Sequence, residues 1–250
     1  MKPFPRLALL FLAGAARLLA QGGPPFITDD PGTPGDGHWE VNIAWTRERR
    51  PDESTDELPL FDINYGVGDR IQLKYEGSCL VEREAGQPAE HGFSNSLVGV
   101  KWRFYDDEKG SGLTLSTYPQ FEFRNPGSNS AARGLTDEGT TLLLPLEIQR
   151  EKDGWGVNVD FGAILPSRTA SGWFYGVVFG HEFTERLEAG VELHGEAASK
   201  FQRTSLTANV GVRWKLDEHC VLLGAVGREV HNGIESRASL VSYLAVQLLR

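Results

Sequence analysis

From residue 39 onward, apolar and polar side chains alternate with a period of two. Trp39, Val41, Ile43 and Trp45 are interleaved with Glu40, Asn42, Ala44 and Thr46. Ile71, Leu73 and Tyr75 alternate with Arg70, Gln72, Lys74 and Glu76, and Val98, Val100, Trp102 and Phe104 with Gly99, Lys101 and Arg103. Leu113, Leu115, Phe121 and Phe123 stand against Thr114, Ser116, Gln120, Glu122 and Arg124; Leu142, Leu144 and Leu146 stand against Thr141 and Glu147. Val157, Val159 and Phe161 oppose Asn158, Asp160 and Gly162, and Leu187, Val191 and Leu193 oppose Glu188, Glu192 and His194. Ala208, Val210, Val212 and Trp214 oppose Asn209, Gly211, Arg213 and Lys215. Successive side chains of a strand point to opposite faces, so the pattern predicts about twelve strands, each with one apolar and one polar face. Two further stretches, about 219–229 and 238–249, alternate less cleanly and close the series.

The connections sort themselves by length. Residues 66–69, 106–110, 151–154, 184–186 and 217–218 are short polar turns, and the longer polar links 47–57, 78–93, 125–138, 166–172, 197–203 and 230–236 fall between them. Trp39, Tyr65, Trp102, Trp155, Phe183 and Trp214 lie at the short-turn ends of their strands, and Trp45, Tyr75, Phe121, Phe123 and Trp173 toward the other ends. Tight turns at one rim, long loops at the other and an aromatic band at each interface are the marks of a barrel that crosses a bilayer. A soluble sandwich or lipocalin-like cup would bury aromatics without sorting them by strand end. The predicted fold is therefore all-β: an antiparallel transmembrane β-barrel of about twelve strands with both termini periplasmic.

Beyond the first twenty residues no stretch supplies the roughly 18 apolar residues of a spanning helix, which leaves strands to do the crossing. Residues 1–20 read as a signal peptide: Lys2 and Arg6 form a basic start, Leu7 to Ala16 an apolar run, and Leu18-Leu19-Ala20 a cleavage site. Residues 21–36 then form a periplasmic N-terminal segment or plug, and 37–250 the barrel. The chain has 25 basic and 34 acidic residues; loss of Lys2, Arg6 and Arg17 takes the formal charge from −9 to −12. Nucleic acid, which needs a basic footprint, is thereby excluded as a partner. Cys79 and Cys220 are the whole thiol inventory and fall near opposite ends of the barrel, so no disulfide is expected.

The inward faces collect Arg70, Lys74, Lys101, Arg103, Arg124, Arg213, Lys215 and Arg228, together with Glu122, Glu147, Asp160, Glu188 and Glu192. These are the candidate lumen lining. They would either select solutes or neutralise one another and hold a narrow barrel rigid. Glu188, Glu192, His194 and Glu196 share one strand face, but neighbours two apart are about 7 Å from each other, too far to share one ion. Pairing with Arg213 and Lys215 is the expected use, and no metal or other cofactor is expected. Thr28, Asp29 and Asp30, ahead of Pro31-Gly32, are the candidate plug or lid, with an Asp-Pro-Gly turn as the plainer reading. A barrel hydrolase would need Ser, His and a polar orienter gathered on the outer wall. His181 has the outward parity but no evident outward Ser or Asn beside it, so no catalytic residues are expected. Acidic loops around Asp52, Glu53, Asp56 and Glu57 would let a purely structural barrel bridge cations to an anionic surface.

The segments Pro25-Phe26-Ile27-Thr28-Asp29-Asp30-Pro31-Gly32-Thr33, Gly37-His38-Trp39-Glu40, Pro59 to Leu73 and Gly99-Val100-Lys101-Trp102-Arg103-Phe104 resemble successive blocks of an exported barrel family. That family is labelled after the meta-pathway of phenol degradation, and the resemblance covers about residues 25–105. It implies an outer membrane location and uptake of aromatic or other hydrophobic small molecules, and it carries over no transport residue. The expected function is passive or facilitated passage of small molecules, with outer-membrane lipid, the barrel-assembly machinery and a small-molecule solute as partners. A structural or surface-interaction barrel is the alternative.

Overall fold

The computed structural model describes residues 23–107, 110–233 and 236–250; the signal-peptide reading falls outside the described residues. Fourteen strand segments form one sheet. They are β1 (Trp39–Arg49), β2 (Glu53–Val67), β3 (Ile71–Glu84), β4 (Glu90–Phe93), β5 (Ser96–Asp107), β6 (Leu113–Thr117) and β7 (Gln120–Phe123), followed by β8 (Thr141–Lys152), β9 (Trp155–Pro166), β10 (Gly172–Thr184), β11 (Leu187–Ala198), β12 (Thr204–Lys215), β13 (Cys220–Asn232) and β14 (Leu240–Leu249). Short β4 and β5 pair in turn with β3, and β6 and β7 share the space between β5 and β8, so each couple makes one wall strand. The wall thus has twelve strands. It closes where β1 meets β14 antiparallel, from Glu40↔Leu249 to Arg49↔Leu240. Closure pairs the edges of the wall, with only short β4 at the long-link rim having a single partner strand, and that is what allows a sheet to stand in lipid.

Parity follows the sequence pattern. Val100, Leu146, Phe161, Val191, Val210 and Leu244 are exposed on the outer face. Asn42, Asp62, Lys74, Lys101, Glu147, Asp160, Glu192 and Asn209 are buried on the inner one. At the short-turn rim Trp39 packs at a tilt against Tyr65 with ring centroids 4.6 Å apart, and Trp155 lies 5.1 Å from Phe179. Toward the other rim Phe161 and Trp173 stack at 5.3 Å.

Three expectations need correction. The links 47–57 and 78–93 are mostly strand: β2 has 15 residues and β3 has 14, and the ladder runs unbroken from Glu53↔Glu84 to Glu57↔Leu80. Their polar composition marks a hairpin that rises out of the bilayer, where no apolar face is needed, not a loop. Asp56 accordingly sits in a ladder, bound by Arg47 and Arg83, instead of in an acidic loop. Arg228 is exposed on the outer face, because the inward register of β13 is Val221, Leu223, Ala225, Gly227 and Glu229. With Ala44, Leu60 and Ala245, Val221 and Leu223 form a small apolar cluster inside the barrel. Both faces are apolar there, which is why alternation fades near the C-terminus.

Candidate functional site

The described N-terminal residues do not lie beneath the barrel; they cross its lumen. Entering from the foot of β1, the segment passes the short-turn rim, where Thr33 donates to the Asp69 carbonyl at 2.9 Å. It then reaches Lys101 of β5, whose ammonium bonds Asp29 Oδ1 at 3.0 Å and the Asp30 carbonyl. Within the segment Asp30 accepts from the Gly32 N–H at 2.7 Å, so the Asp-Pro-Gly turn forms as its residues dictate. On the far wall the Thr28 N–H donates to Glu192 of β11 at 2.6 Å and the Asp29 N–H to Asp160 of β9 at 3.2 Å. Arg213 of β12 donates to the Pro24 carbonyl at 2.8 Å. Burial pushes the Asp30 carboxyl up, but Lys101, Arg213, the Gly32 N–H and Arg103 outweigh it and hold the group below its ordinary range.

The wall is cut to receive this segment. A Cβ on Gly176 would overlap Thr28 Oγ1 and stand 2.8 Å from Asp160 Oδ1; one on Gly211 would lie 2.8 Å from the Phe26 ring. Glycine at these inward positions lets another piece of backbone approach closely.

Lys101, Glu147, Asp160, Glu192 and Arg213 all meet at the crossing segment or one bond away. Glu147 is fully buried, 3.4 Å from Lys101, and accepts from Ser116. Glu192 also accepts from Asn209 at 2.6 Å. Lys74 belongs to a second cluster, bonded to Asp62 at 3.2 Å and Glu76 at 2.9 Å, with Asn64, Gln72 and Tyr118 alongside. Glu122 accepts from Asn95 at 2.7 Å on the long-link side.

The other candidates sit apart. Arg70 is exposed in the β2–β3 turn, Arg124 is exposed beyond β7, and Lys215 is exposed at the short-turn rim. Arg103 lies at that same rim, 3.5 Å from Asp106. Inward parity continued past the last lumenal layer does not put a side chain in the lumen, and the correction for Arg70, Arg124 and Lys215 has that cause. Glu188 reaches Arg213 only at 4.0 Å, so the expected ladder of Glu–Arg and Glu–Lys pairs gives way to bonds with the crossing segment. Among the described residues no group of three or more His, Cys, Asp or Glu is gathered to hold a metal ion. His181 stacks on Trp155 at 4.1 Å, with its Nδ1 2.9 Å from the Gly154 carbonyl, as part of the aromatic band.

On the long-link side of the crossing segment lies a cavity of about 390 Å³. Pro24, Pro25, Phe26 and Ile27 supply its floor; Leu60, Leu80, Leu97 and Tyr243 supply wall; and Leu135 belongs to the long link between β7 and β8. That link folds inward, its Ser130 accepting from the Phe93 N–H at 3.0 Å and its Leu135 buried. The sequence pattern does not mark Leu135, Arg50 or Tyr243 as lining. The apolar inward positions carried no alternation signal, and Arg50, which reaches in to Glu48 at 2.7 Å and to Glu229 at 3.3 Å, stands in a turn.

With this geometry in hand, the comparisons with solved structures fix the architecture. An outer membrane channel from Pseudomonas putida F1 superposes with a TM-score of 0.75 over 89% of this chain and 98% of that one, at 10% identity. The fold is that of an outer membrane barrel. The KdgM porin, solved with a disordered oligogalacturonate, gives 0.56 over 83% and 98% at 15% identity. The translocator domain of the autotransporter NalP from Neisseria meningitidis gives 0.56 over 86% and 88% at 10% identity. No family model and no curated protein matches the sequence.

Proposed function

We propose that the protein is a narrow channel of the bacterial outer membrane, with short turns and both termini in the periplasm, that passes small aromatic or hydrophobic molecules and is plugged at rest by residues 21–36. The observation that carries this reading is the crossing segment. It is hydrogen-bonded to β5 on one wall and to β9, β11 and β12 on the other, and a cavity about the size of a small-ligand pocket opens above it. The lining sets Leu60, Leu80, Leu97 and Leu135 beside Arg47, Arg50 and the carboxyl groups of Glu48, Glu53, Glu57, Asp62, Glu76, Glu122 and Asp137, so a compact solute with an apolar body and polar groups would find partners for both. The channel and porin among the structural neighbours and the resemblance of residues 25–105 to the phenol-pathway family point the same way, to passage and not to catalysis.

Reconstitution of the mature chain into planar bilayers, with and without residues 21–36, tests the proposal. The intact chain should conduct weakly and the deletion should raise conductance severalfold, while liposomes holding the intact chain should admit a small phenol faster than protein-free ones. If neither form conducts ions or speeds the phenol, transport is refuted and a structural barrel takes its place. Equal conductance of the two forms would refute the plug.

A further inference from the structure

Arginines stand on the outer face of the barrel, above the aromatic band of the long-link rim, on adjoining strands. Cross-strand register sets three of them in one row. Arg83 of β3 pairs with Ser54 of β2, Ser54 with Arg49 of β1, and Arg49 with Leu240 of β14. Arg228 of β13 follows Gly227, which pairs with Val241, and so comes alongside Leu240. Four strand spacings of about 4.8 Å put the row within about 19 Å. Arg47 lies one outward position nearer the bilayer, its guanidinium 5.6 Å from the Trp45 ring centroid.

Asp56 is the one carboxylate facing outward on these five strands among the described residues, and it is already occupied. It accepts from Trp45 Nε1 at 2.9 Å and from Arg47 and Arg83. No described carboxylate is within ion-pair distance of Arg49 or Arg228. Elsewhere on the same rim exposed arginines do have partners: Arg133 with Glu90 and Arg168 with Glu138, each at 2.7 Å. The next outward layer holds Asp56, Arg47 and Ser242 beside Val226, and below it the face is apolar, with Leu244 and Val246 exposed. Cationic forks above an aromatic side chain and an apolar wall reproduce, in reverse, the profile of a phosphorylated lipid: anionic headgroup, interface, acyl chain.

We infer that this face binds a glycolipid of the outer leaflet that carries two phosphates, with Arg49 and Arg228 taking the phosphates, Arg83 adding its donors not held by Asp56, and the β13–β14–β1 wall taking the acyl chains. Guanidinium is suited to the task because its fork matches phosphate oxygens bidentately. The inference rests on the orientation proposed above but not on transport. Its test needs no conduction, so the two fail separately.

The test places the full mature chain in phosphatidylcholine nanodiscs containing a few mole per cent of diphosphoryl lipid A and measures retained glycolipid by native mass spectrometry. Wild type should retain it, and the triple change Arg49→Gln, Arg83→Gln, Arg228→Gln should lower occupancy about tenfold or more. Arg168→Gln should leave occupancy unchanged. Folding is checked by heat-modifiable migration. Should the triple variant misfold, Arg228→Gln alone, at an exposed side chain with no carboxylate partner, should still lower occupancy measurably. The inference is overturned if folded variants retain the glycolipid as wild type does, if dephosphorylated lipid A binds equally, or if phosphatidylglycerol displaces it at equal concentration.

Discussion

Replacing Gly176 with Ala should open the channel without shortening the chain. The added methyl would overlap Thr28 Oγ1, stand 3.0 Å from Thr28 Cβ and lie 2.8 Å from Asp160 Oδ1, whereas ordinary contact begins at 3.4 Å. Gly176 belongs to β10, held by ladders to β9 and β11, so the crossing segment must give way and not the wall. Moving Thr28 off the wall breaks its N–H bond to Glu192, now 2.6 Å, and loosens the Asp29 bond to Asp160 at 3.2 Å. A hydrogen bond to a charged group contributes about 1.5–3 kcal/mol, so losing the first alone shifts the docked-to-undocked ratio about ten- to a hundredfold. Single-channel recording should show open time rising by that order. Gly180→Ala, on the same strand face, is the control: its nearest neighbour would be Glu188 Oε1 at 3.4 Å. If folded Gly176→Ala gates like wild type, or if Gly180→Ala opens the channel equally, the docking of Thr28 does not hold it shut.

Val159→Arg or Val210→Arg should cost about 2–4 kcal/mol in bilayer folding assays and Asn158→Arg clearly less, since only the valines face lipid; equal costs would refute the parity. Protease added to intact cells should cut within 125–138 and spare Gly68 and Asp153, and the converse pattern would invert the topology. Lys101→Met should destabilise the barrel by roughly 3–5 kcal/mol, because Glu147 is left buried without its cation. Adding Glu147→Gln should then recover part of the loss, as read by denaturant midpoints, and no recovery would mean the two groups act independently.

Strand count, parity and rim assignment were legible because a membrane wall imposes one rule on every strand: apolar outside, polar inside, aromatic at the ends. The rule stops being readable where either condition lapses. Residues 53–57 and 80–84 leave the bilayer, so their outer face no longer needs to be apolar, and a continuing ladder reads as a loop. Val221, Leu223 and Ala245 face inward onto Ala44 and Leu60, so β13 and β14 are apolar on both sides and the parity of Arg228 is lost with it.

The site was legible in its chemistry but not in its partnerships. Lys101, Glu147, Asp160 and Glu192 could be placed in the lumen by counting in twos, yet nothing in a strand's own pattern says that their partners come from residues 28–30 and not from the next strand. The trace that was present lay in the glycines. A lumen that had only to be lined would carry a side chain at Gly176, Gly190 and Gly211, whereas a Cβ would overlap Thr28 at the first, stand 2.8 Å from the Phe26 ring at the last, and at Gly190 crowd both the Phe179 carbonyl at 3.0 Å and the Phe26 ring at 3.1 Å. Together they outline a groove across β10, β11 and β12, on the wall opposite Lys101. Glycine weakens a strand, so three of them at inward positions of consecutive strands cost stability that the crossing segment must return through its bonds to Glu192, Asp160 and Arg213. Wall and segment are therefore fitted to each other, and the docked arrangement is the one the barrel sequence specifies.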